Sequence, residues 1–427
     1  MKVVLYWLAP VATSNVGDKQ FDRPDSALFQ QGGASPLFRF CTVAANRACC
    51  ALARKCRGPG PGCPDAGVHL SFAVKWSIKG HQHEPEPEDS MAATDVKATY
   101  TPAENRYAGM PYRRCGRSGL KLPAISLGLW QSLGEPGMED VCRKACYFAF
   151  DNGITHFDLA NNYGPPPGNS EIVFGEILKS MPRDELIIST KAGYYMWPGP
   201  YGEWGSKKYL VASLDQSLRR MKLDYVDIFY HHRPDPDTPL EESMGALDLI
   251  VKQGKALYAG VSSYNGRQFA DAVRVIRDHD WTPLTIHQPK INLLERNFEF
   301  DLLPHAAAWG CGVIAFCPLA QGRLSDKYLN GIPRDSRMAK RDDAQKWYDQ
   351  QKAAGIWDKV AKLNDIAKAR GQTLPQMALA WLLRDERITS VLIGASKVEQ
   401  IAENLGALKN TAFTDEELKK IDQITRC

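Results

Sequence analysis

The sequence predicts a (β/α)8 barrel, and three observations carry that expectation. Eight short runs rich in Ile, Val and Leu recur between residues 124 and 393, most of them about thirty residues apart. Helical apolar periodicity fills most of the intervals, the alternation that builds a parallel sheet covered by helices. No G-x-G-x-x-G turn follows the first run, which argues against the alternative, a doubly wound sheet with a dinucleotide crevice.

The runs span residues 124–127, 154–157, 186–190, 225–230, 256–261, 284–287, 312–316 and 390–393. After the first, "MEDVCRKACYFAFDNG" sets Val141, Ala145, Phe148 and Ala149 on one helical face, with Gly153 where a C-terminal cap is wanted. "GNSEIVFGEIL" (168–178) offers Asn169 or Ser170 as an N-terminal cap. "LDQSLRRM", "LEESMGALDLIVKQG" and "GRQFADAVRVIRD" repeat the helical pattern. Ahead of the first run, "YRRCGRSGLKLPAIS" places Gly116 and Gly119 around a turn, the signature of a small hairpin at the barrel's bottom.

The bulk properties are those of a globular chain. It has 427 residues, 44% hydrophobic and 24% charged, enough for a sizeable core. A formal net charge of +4 is too mild to mark a nucleic-acid surface. No stretch reaches the roughly 18–20 apolar residues of a membrane span. The 11 cysteines include no CxxC pair and no His/Cys ligand spacing, so a reduced, cytoplasmic protein without zinc is expected.

Residues 1–105 read differently from the barrel at 106–427. "MKVVLYWLAPVATSNVG" echoes a secretory signal only faintly, because its positive region is a single lysine. "RKCRGPGPGCPDAG" and "GHQHEPEPEDS" lack any period that would bury apolar surface, so a low-order extension is expected. His81 and His83 fit a solvated linker better than a metal tract, and Met91 has the look of an independent beginning.

On a barrel, active groups collect at the C-terminal ends of strands. Asp158 follows the second run in "FDLANNYGPPPGNSE", with Tyr163 on the loop just beyond it. Lys191 ends the third run and His232 follows the fourth. Carbonyl reduction needs a proton delivered to oxygen, and a free tyrosine, titrating near 10, is a poor acid at neutral pH. A neighbouring lysine favours the phenolate and lowers that value, while a carboxylate keeps the lysine charged. A histidine at the same oxygen fixes its geometry. Singly, Lys191 could be an ordinary strand-end cation and His232 a satisfied loop residue; four such groups at consecutive strand ends make a site.

"GITHFDLANNYG", "LIISTKAG", "YVDIFYHHR", "GVSSY", "FCPLAQGRLSDKY" and "SVLIGASKVEQIAENLGAL" together resemble the aldo-keto reductase superfamily, over residues 112–424. The likeness is strongest to its branch of bacterial-type glyceraldehyde-phosphate reductases and potassium-channel beta-subunits. It implies a (β/α)8 barrel, reduction of small or phosphorylated aldehydes with NADPH, and Tyr163 as proton donor. Channel subunits typically carry Asn where this chain has His232, which favours the enzyme branch.

The same resemblance implies cofactor positions. Ser262, Ser263 and Gln288 would meet the nicotinamide carboxamide, and Phe316 would stack on its face, with Trp130 and Asp158 nearby. Cys317, Pro318, Leu319, Ala320 and Gln321 would follow the pyrophosphate, with Lys327 reaching its charge. Arg337 would pack on the adenine end; Gly394, Ser396, Gln400, Glu403 and Asn404 would hold the 2′-phosphate and adenine. "IGASKVEQIAEN" also reads as a strand, a turn and a helix start, whose backbone N–H groups suit an anion; alternatively, Ser396 is a plain helix cap.

For substrate, Trp130, Tyr163, Trp197, Tyr201 and Phe316 suggest an aromatic mouth around His232. Arg233 is the obvious cation for a phosphorylated or carboxylated aldehyde, with Asp235 or Asp237 as an alternative salt-bridge partner. Two rival readings stand beside the reductase. One is an NADPH-holding regulatory module of a membrane channel. The other is a metal-dependent sugar isomerase, which needs a carboxylate and histidine cluster that the strand ends lack. The expected partner is a small aldehyde, with no nucleic acid and no membrane; a homo-oligomer is compatible with the sequence.

Overall fold

The computed structural model describes residues 100–426 except Asp335. Strands β1 (Tyr112–Arg114) and β2 (Lys121–Pro123) pair antiparallel as a hairpin. Eight parallel strands follow: β3 (Ile125–Gly128), β4 (His156–Asp158), β5 (Ile187–Ala192), β6 (Val226–His231), β7 (Ala256–Ser262), β8 (Leu284–Gln288), β9 (Gly312–Phe316) and β10 (Ile388–Gly394). They close in the order β10-β3-β4-β5-β6-β7-β8-β9. Every expected run is a barrel strand, offset at its ends by at most two residues. Such strands are covered on both faces, which is why they read as near-continuous apolar runs; β6, for example, is buried at every position.

The hairpin plugs the barrel floor. Its Cys115, Leu120 and Leu122 form one buried cluster with Ile228, Tyr230, Ile286, Ile314 and Leu392 from the strands. Gly116, at φ +56°, makes the turn possible: a Cβ there would lie 2.0 Å from the Gly310 carbonyl oxygen.

One helical expectation needs widening and another correcting. In helix Glu139–Asp151 the expected Ala145 and Ala149 are buried and Val141 and Phe148 pack, partly covered, against the same core, which also takes in Cys142, Cys146 and Phe150. The two cysteines join it as small hydrophobes. Gly153 does end this helix in the left-handed region, at φ +83°. In helix Asn169–Leu178 the cap position is Gly168, with no side-chain cap bond. Asn169 and Ser170 lie inside the first turn and donate instead to the carbonyls of Gly134 (2.7 Å) and Leu129 (2.7 Å). They tie the helix to the loop after β3.

The described chain begins ahead of the expected boundary at 106, and its first residues pack on the barrel. The Tyr100 ring stacks on Tyr147 with centroids 3.8 Å apart, and its hydroxyl donates to Asp151 (2.7 Å). The expectations for the leader-like start, His81, His83 and Met91 fall outside the described residues.

Candidate active site

Asp158 ends β4, Lys191 is the penultimate residue of β5, and His232 directly follows β6. The barrel therefore brings the three strand-end residues to one rim. Lys191 Nζ donates to Asp158 Oδ2 (2.5 Å), the Leu159 carbonyl (2.5 Å) and the Tyr163 hydroxyl (3.2 Å). An ammonium has three protons to place, and all three have acceptors. Asp158 Oδ1 accepts from Ser189 Oγ (2.6 Å) and Gln288 Nε2 (3.1 Å). Both charged side chains are 0% exposed, a state tolerated only because each is paired and hydrogen-bonded.

The loop that carries Tyr163 is held by its own backbone. The Tyr163 N–H donates to Ala160 (3.0 Å), and its carbonyl accepts from Gly168 (3.0 Å) and Ser170 (3.3 Å).

The electrostatics depart from the expectation that lysine lowers the phenol. The Tyr163 hydroxyl is held well above its ordinary value, first by burial and then by the charge of Asp158. Burial removes the water that would stabilise a phenolate, and this outweighs the cation at 3.2 Å. Burial also pulls the Lys191 ammonium down, opposed by Asp158. The phenol is thus kept fully protonated, as a proton donor must be before it reacts.

His232 is pushed well below the ordinary histidine range by burial and by Lys191, His231 and Arg233, so the ring is neutral. Its edge meets Tyr163 (centroids 6.0 Å) and Tyr194 (4.7 Å). Its Nδ1 is buried without a protein partner among the described residues. The tautomer with hydrogen on Nε2 leaves only a lone pair unpaired there and supplies one hydrogen-bond donor.

Arg233 has neither acid expected for it. It pairs with Glu203, donates from Nε to the Gly193 carbonyl (2.9 Å), and lies between the rings of Tyr194 (4.2 Å) and Trp204 (3.7 Å). Asp235 instead accepts the backbone N–H groups of Gly205, Asp237 and Thr238. Trp197 packs on Tyr209, while Trp130 and Tyr201 are exposed.

At the positions expected to meet the cofactor, Ser262 Oγ and the Ser263 N–H both bond the Gln288 carbonyl (2.8 and 3.1 Å), and Ser263 adopts φ +62°. Phe316 closes β9. Beyond it Leu319 (φ −98°, ψ 18°) precedes left-handed Ala320 (φ +49°) and Gln321 (φ +59°). The Ala320 N–H donates to the Cys317 carbonyl (2.9 Å) and the Gly322 N–H to the Leu319 carbonyl (2.8 Å), so this succession is a tight turn closed on its own backbone. Lys327 Nζ lies 3.1 Å from where a Cβ on Gly322 would sit, and Lys290, Arg337 and Arg323 each act on Cys317 as positive neighbours. Arg337 donates to Gln131 (3.0 Å) with its guanidinium 5.5 Å over the Trp130 ring. Pro318 continues this loop and Gly394 ends β10. Ser396 is not a cap: its N–H (2.8 Å) and hydroxyl (3.2 Å) both donate to Gln400. Glu403 is exposed and Asn404 buried. The cations around this turn, Lys327, Lys290, Arg323 and Arg337, fit a dinucleotide phosphate.

Several residues at and beneath the rim had no distinct signal in the sequence. Ser189 and His156 lie within apolar runs, and Tyr194 stands in the same aromatic loop as Trp197. Buried Glu171 accepts from Thr190 (2.5 Å) and Arg220 (2.7 Å) behind Lys191. Among the described residues no group of three or more His, Cys, Asp or Glu is placed to hold a metal ion, and no helix is long and apolar enough to cross a membrane.

This barrel with a Tyr, Lys, Asp and His rim defines a class. Residues 124–426 match the family model described as the Aldo/keto reductase family, and the chain belongs to that family of oxidoreductases. It is 54% identical to proteins named L-glyceraldehyde 3-phosphate reductase from Escherichia coli O157:H7 and strain K12, covering 74% of this chain and 93% of each relative. It is 37% identical to a candidate voltage-gated potassium channel subunit beta from Schizosaccharomyces pombe, over 74% of this chain and 93% of that protein.

Proposed function

We propose that the protein reduces aldehydes to alcohols with NADPH, Tyr163 giving the proton. The carrying observation is the line from Asp158 through Lys191 to the Tyr163 hydroxyl, beside neutral His232. When bound, NADPH supplies the hydride. Tyr163, protonated and buried, donates to the carbonyl oxygen as negative charge develops there. Lys191 stabilises the phenolate left behind, and Asp158 keeps that ammonium in place. His232 donates one hydrogen bond to the same oxygen and orients it. Ser262, Ser263, Gln288 and Phe316 would hold the nicotinamide end. Lys327, beside the turn at Leu319–Gln321, would take the pyrophosphate, and Arg337, Ser396, Gln400 and Asn404 the far end.

The bacterial relatives' name makes a glyceraldehyde phosphate the first substrate to test, with methylglyoxal as a small alternative. Arg233 is committed to Glu203, so a substrate phosphate would have to displace that carboxylate to reach it. The test is steady-state NADPH oxidation by the full chain with glyceraldehyde 3-phosphates, methylglyoxal and aromatic aldehydes. Absence of turnover with all of them would sink the reading. The yeast relative's name supports a second one, a regulatory module that binds NADPH and a channel domain; capture of such a domain without turnover would favour it. A cytoplasmic setting is supported by the free thiols of Cys115, Cys142, Cys146, Cys311 and Cys317.

A further inference from the structure

A chain of buried polar side chains runs beneath the rim into the barrel interior. Ser390 Oγ lies 2.7 Å from Ser126 Oγ, and Ser126 Oγ lies 2.9 Å from His156 Nδ1. His156 Nε2 lies 2.9 Å from Ser189 Oγ, which lies 2.6 Å from Asp158 Oδ1. All five residues are 0% exposed. They come from β10, β3, β4 and β5, and His156 and Asp158, two apart on β4, share its inward face.

The protons in this chain have one consistent order. A carboxylate paired with Lys191 only accepts, so the single Ser189 proton goes to Asp158. Ser189 must then accept from His156, which puts the imidazole hydrogen on Nε2. His156 Nδ1 becomes an acceptor and takes the Ser126 proton, and Ser126 in turn takes the proton of Ser390. Ser390 has a second possible acceptor, the Ala124 carbonyl, at only 3.4 Å. The order requires a neutral imidazole, and burial lowers His156 to about 4.

We propose that His156 and Ser189 are positioning residues for the proton donor: they orient Asp158, and through Lys191 they orient Tyr163. The inference rests on the reading of Tyr163 as the acid. Asp158 must aim Oδ2 at Lys191, and the partners of Oδ1 decide how the carboxylate is turned. Gln288, the other partner, stands where the cofactor is expected. Ser189 is the partner that does not depend on the cofactor, and His156 is what fixes the direction of its hydroxyl. The charged and titratable groups facing Tyr163 are Asp158, Lys191, His232, Tyr194 and Cys317.

The experiment compares Ser189→Ala, His156→Leu and His156→Gln in the full chain, with NADPH and methylglyoxal across a pH series. Ser189→Ala is expected to lower kcat roughly tenfold, with the aldehyde KM and the NADPH dissociation constant changed less than about twofold. Losing a donor concentrates the Asp158 charge, which raises the Tyr163 value, so the alkaline limb of the rate profile moves to higher pH. His156→Leu should behave alike. His156→Gln should regain most of the rate, because its amide can donate to Ser189 and accept from Ser126. Added to Tyr163→Phe, Ser189→Ala should cost nothing further.

A Ser189→Ala protein with an unmoved alkaline limb and kcat within about twofold of wild type overturns the inference. So do His156→Gln and His156→Leu equally slow with equally lowered melting temperatures, the mark of a purely structural role. Undiminished turnover by Tyr163→Phe would instead remove the proton-donor reading on which the inference stands, so the two failures are distinguishable.

Discussion

The Lys191 ammonium nitrogen lies 3.2 Å from the Tyr163 hydroxyl and 4.8 Å from the centre of its ring. Burial has raised the phenol, so in the proposed reaction the lysine would contribute as the proton leaves, when a buried phenolate would otherwise stand beside Asp158 with no compensating charge. Tyr163→Phe removes only the transferable proton. Aldehyde reduction should fall by about 10²–10⁴-fold, with NADPH binding by fluorescence titration unchanged. Retention of more than about a tenth of the wild-type rate would show that another group is the acid.

Lys191→Met should slow the reaction to a similar degree, and its alkaline limb should move to higher pH as the phenol loses its cation. It also strands Asp158, which is 0% exposed. Removing one partner of a buried pair costs about 3–5 kcal/mol, so the melting temperature should fall as well. An unchanged pH profile in a variant that melts earlier would assign Lys191 a structural part alone.

The barrel was legible because parallel strands buried on both faces must be apolar throughout. The rim was legible for a related reason: Asp158, Lys191 and His232 are polar residues at the C-terminal ends of such runs, where a barrel gathers its active groups. His156, Ser126, Ser189 and Ser390 are polar inside the runs, and their meaning lies in neighbours on other strands. The partner of Arg233 was misread because Asp235 and Asp237 are close in sequence, whereas Glu203 reaches it from a different loop. The raised phenol was out of reach too, since burial belongs to the folded chain.

Burial pushes His156 and His231 down to about 4 and His287 to about 3, from an ordinary 6.5. Each folded-state value lies below the unfolded one, so the unfolded chain binds more protons between them. This stability is complete above about pH 6.5 and is lost as pH falls toward 4, on the order of 3 kcal/mol per histidine. Urea unfolding at about pH 7 and about pH 5 should show the midpoint falling on the acid side. A midpoint that stays level would mean that these rings are not kept neutral in the folded protein.

A chain beginning at Met91 should fold and turn over like the full protein, because the preceding segment has no core-forming pattern. It keeps Tyr100, whose ring stacks on Tyr147 at 3.8 Å and whose hydroxyl reaches Asp151 at 2.7 Å. A chain beginning at Arg106 loses both contacts and should be less stable by about 1–3 kcal/mol in chemical unfolding. Equal stability of the two truncations would show that residues 100–105 add nothing. Loss of cooperative melting in the longer one would place structural weight before Met91.

Cofactor preference follows from charge. NADPH differs from NADH by a 2′-phosphate, so a discriminating site must offer cations or donors that NADH leaves unpaired. On the proposed reading Arg337, 5.5 Å over Trp130, and the Ser396–Gln400 pair would serve the adenine end, and Lys327 beside Gly322 the pyrophosphate. Glu403 is exposed and its carboxylate would favour a ribose hydroxyl pair, but it stands within the helix Val398–Leu405 beyond the Ser396 turn. A clear NADPH preference is therefore expected. Arg337→Ala should erode it mainly through the NADPH Michaelis constant, by about tenfold, as one charge-assisted contact is lost. Lys327→Ala, acting nearer the pyrophosphate, should weaken NADPH and NADH together more than Arg337→Ala does. Equal efficiency with NADH in the unmodified protein would overturn the assignment, and an Arg337→Ala variant that loses both cofactors alike would make that residue a brace for Trp130.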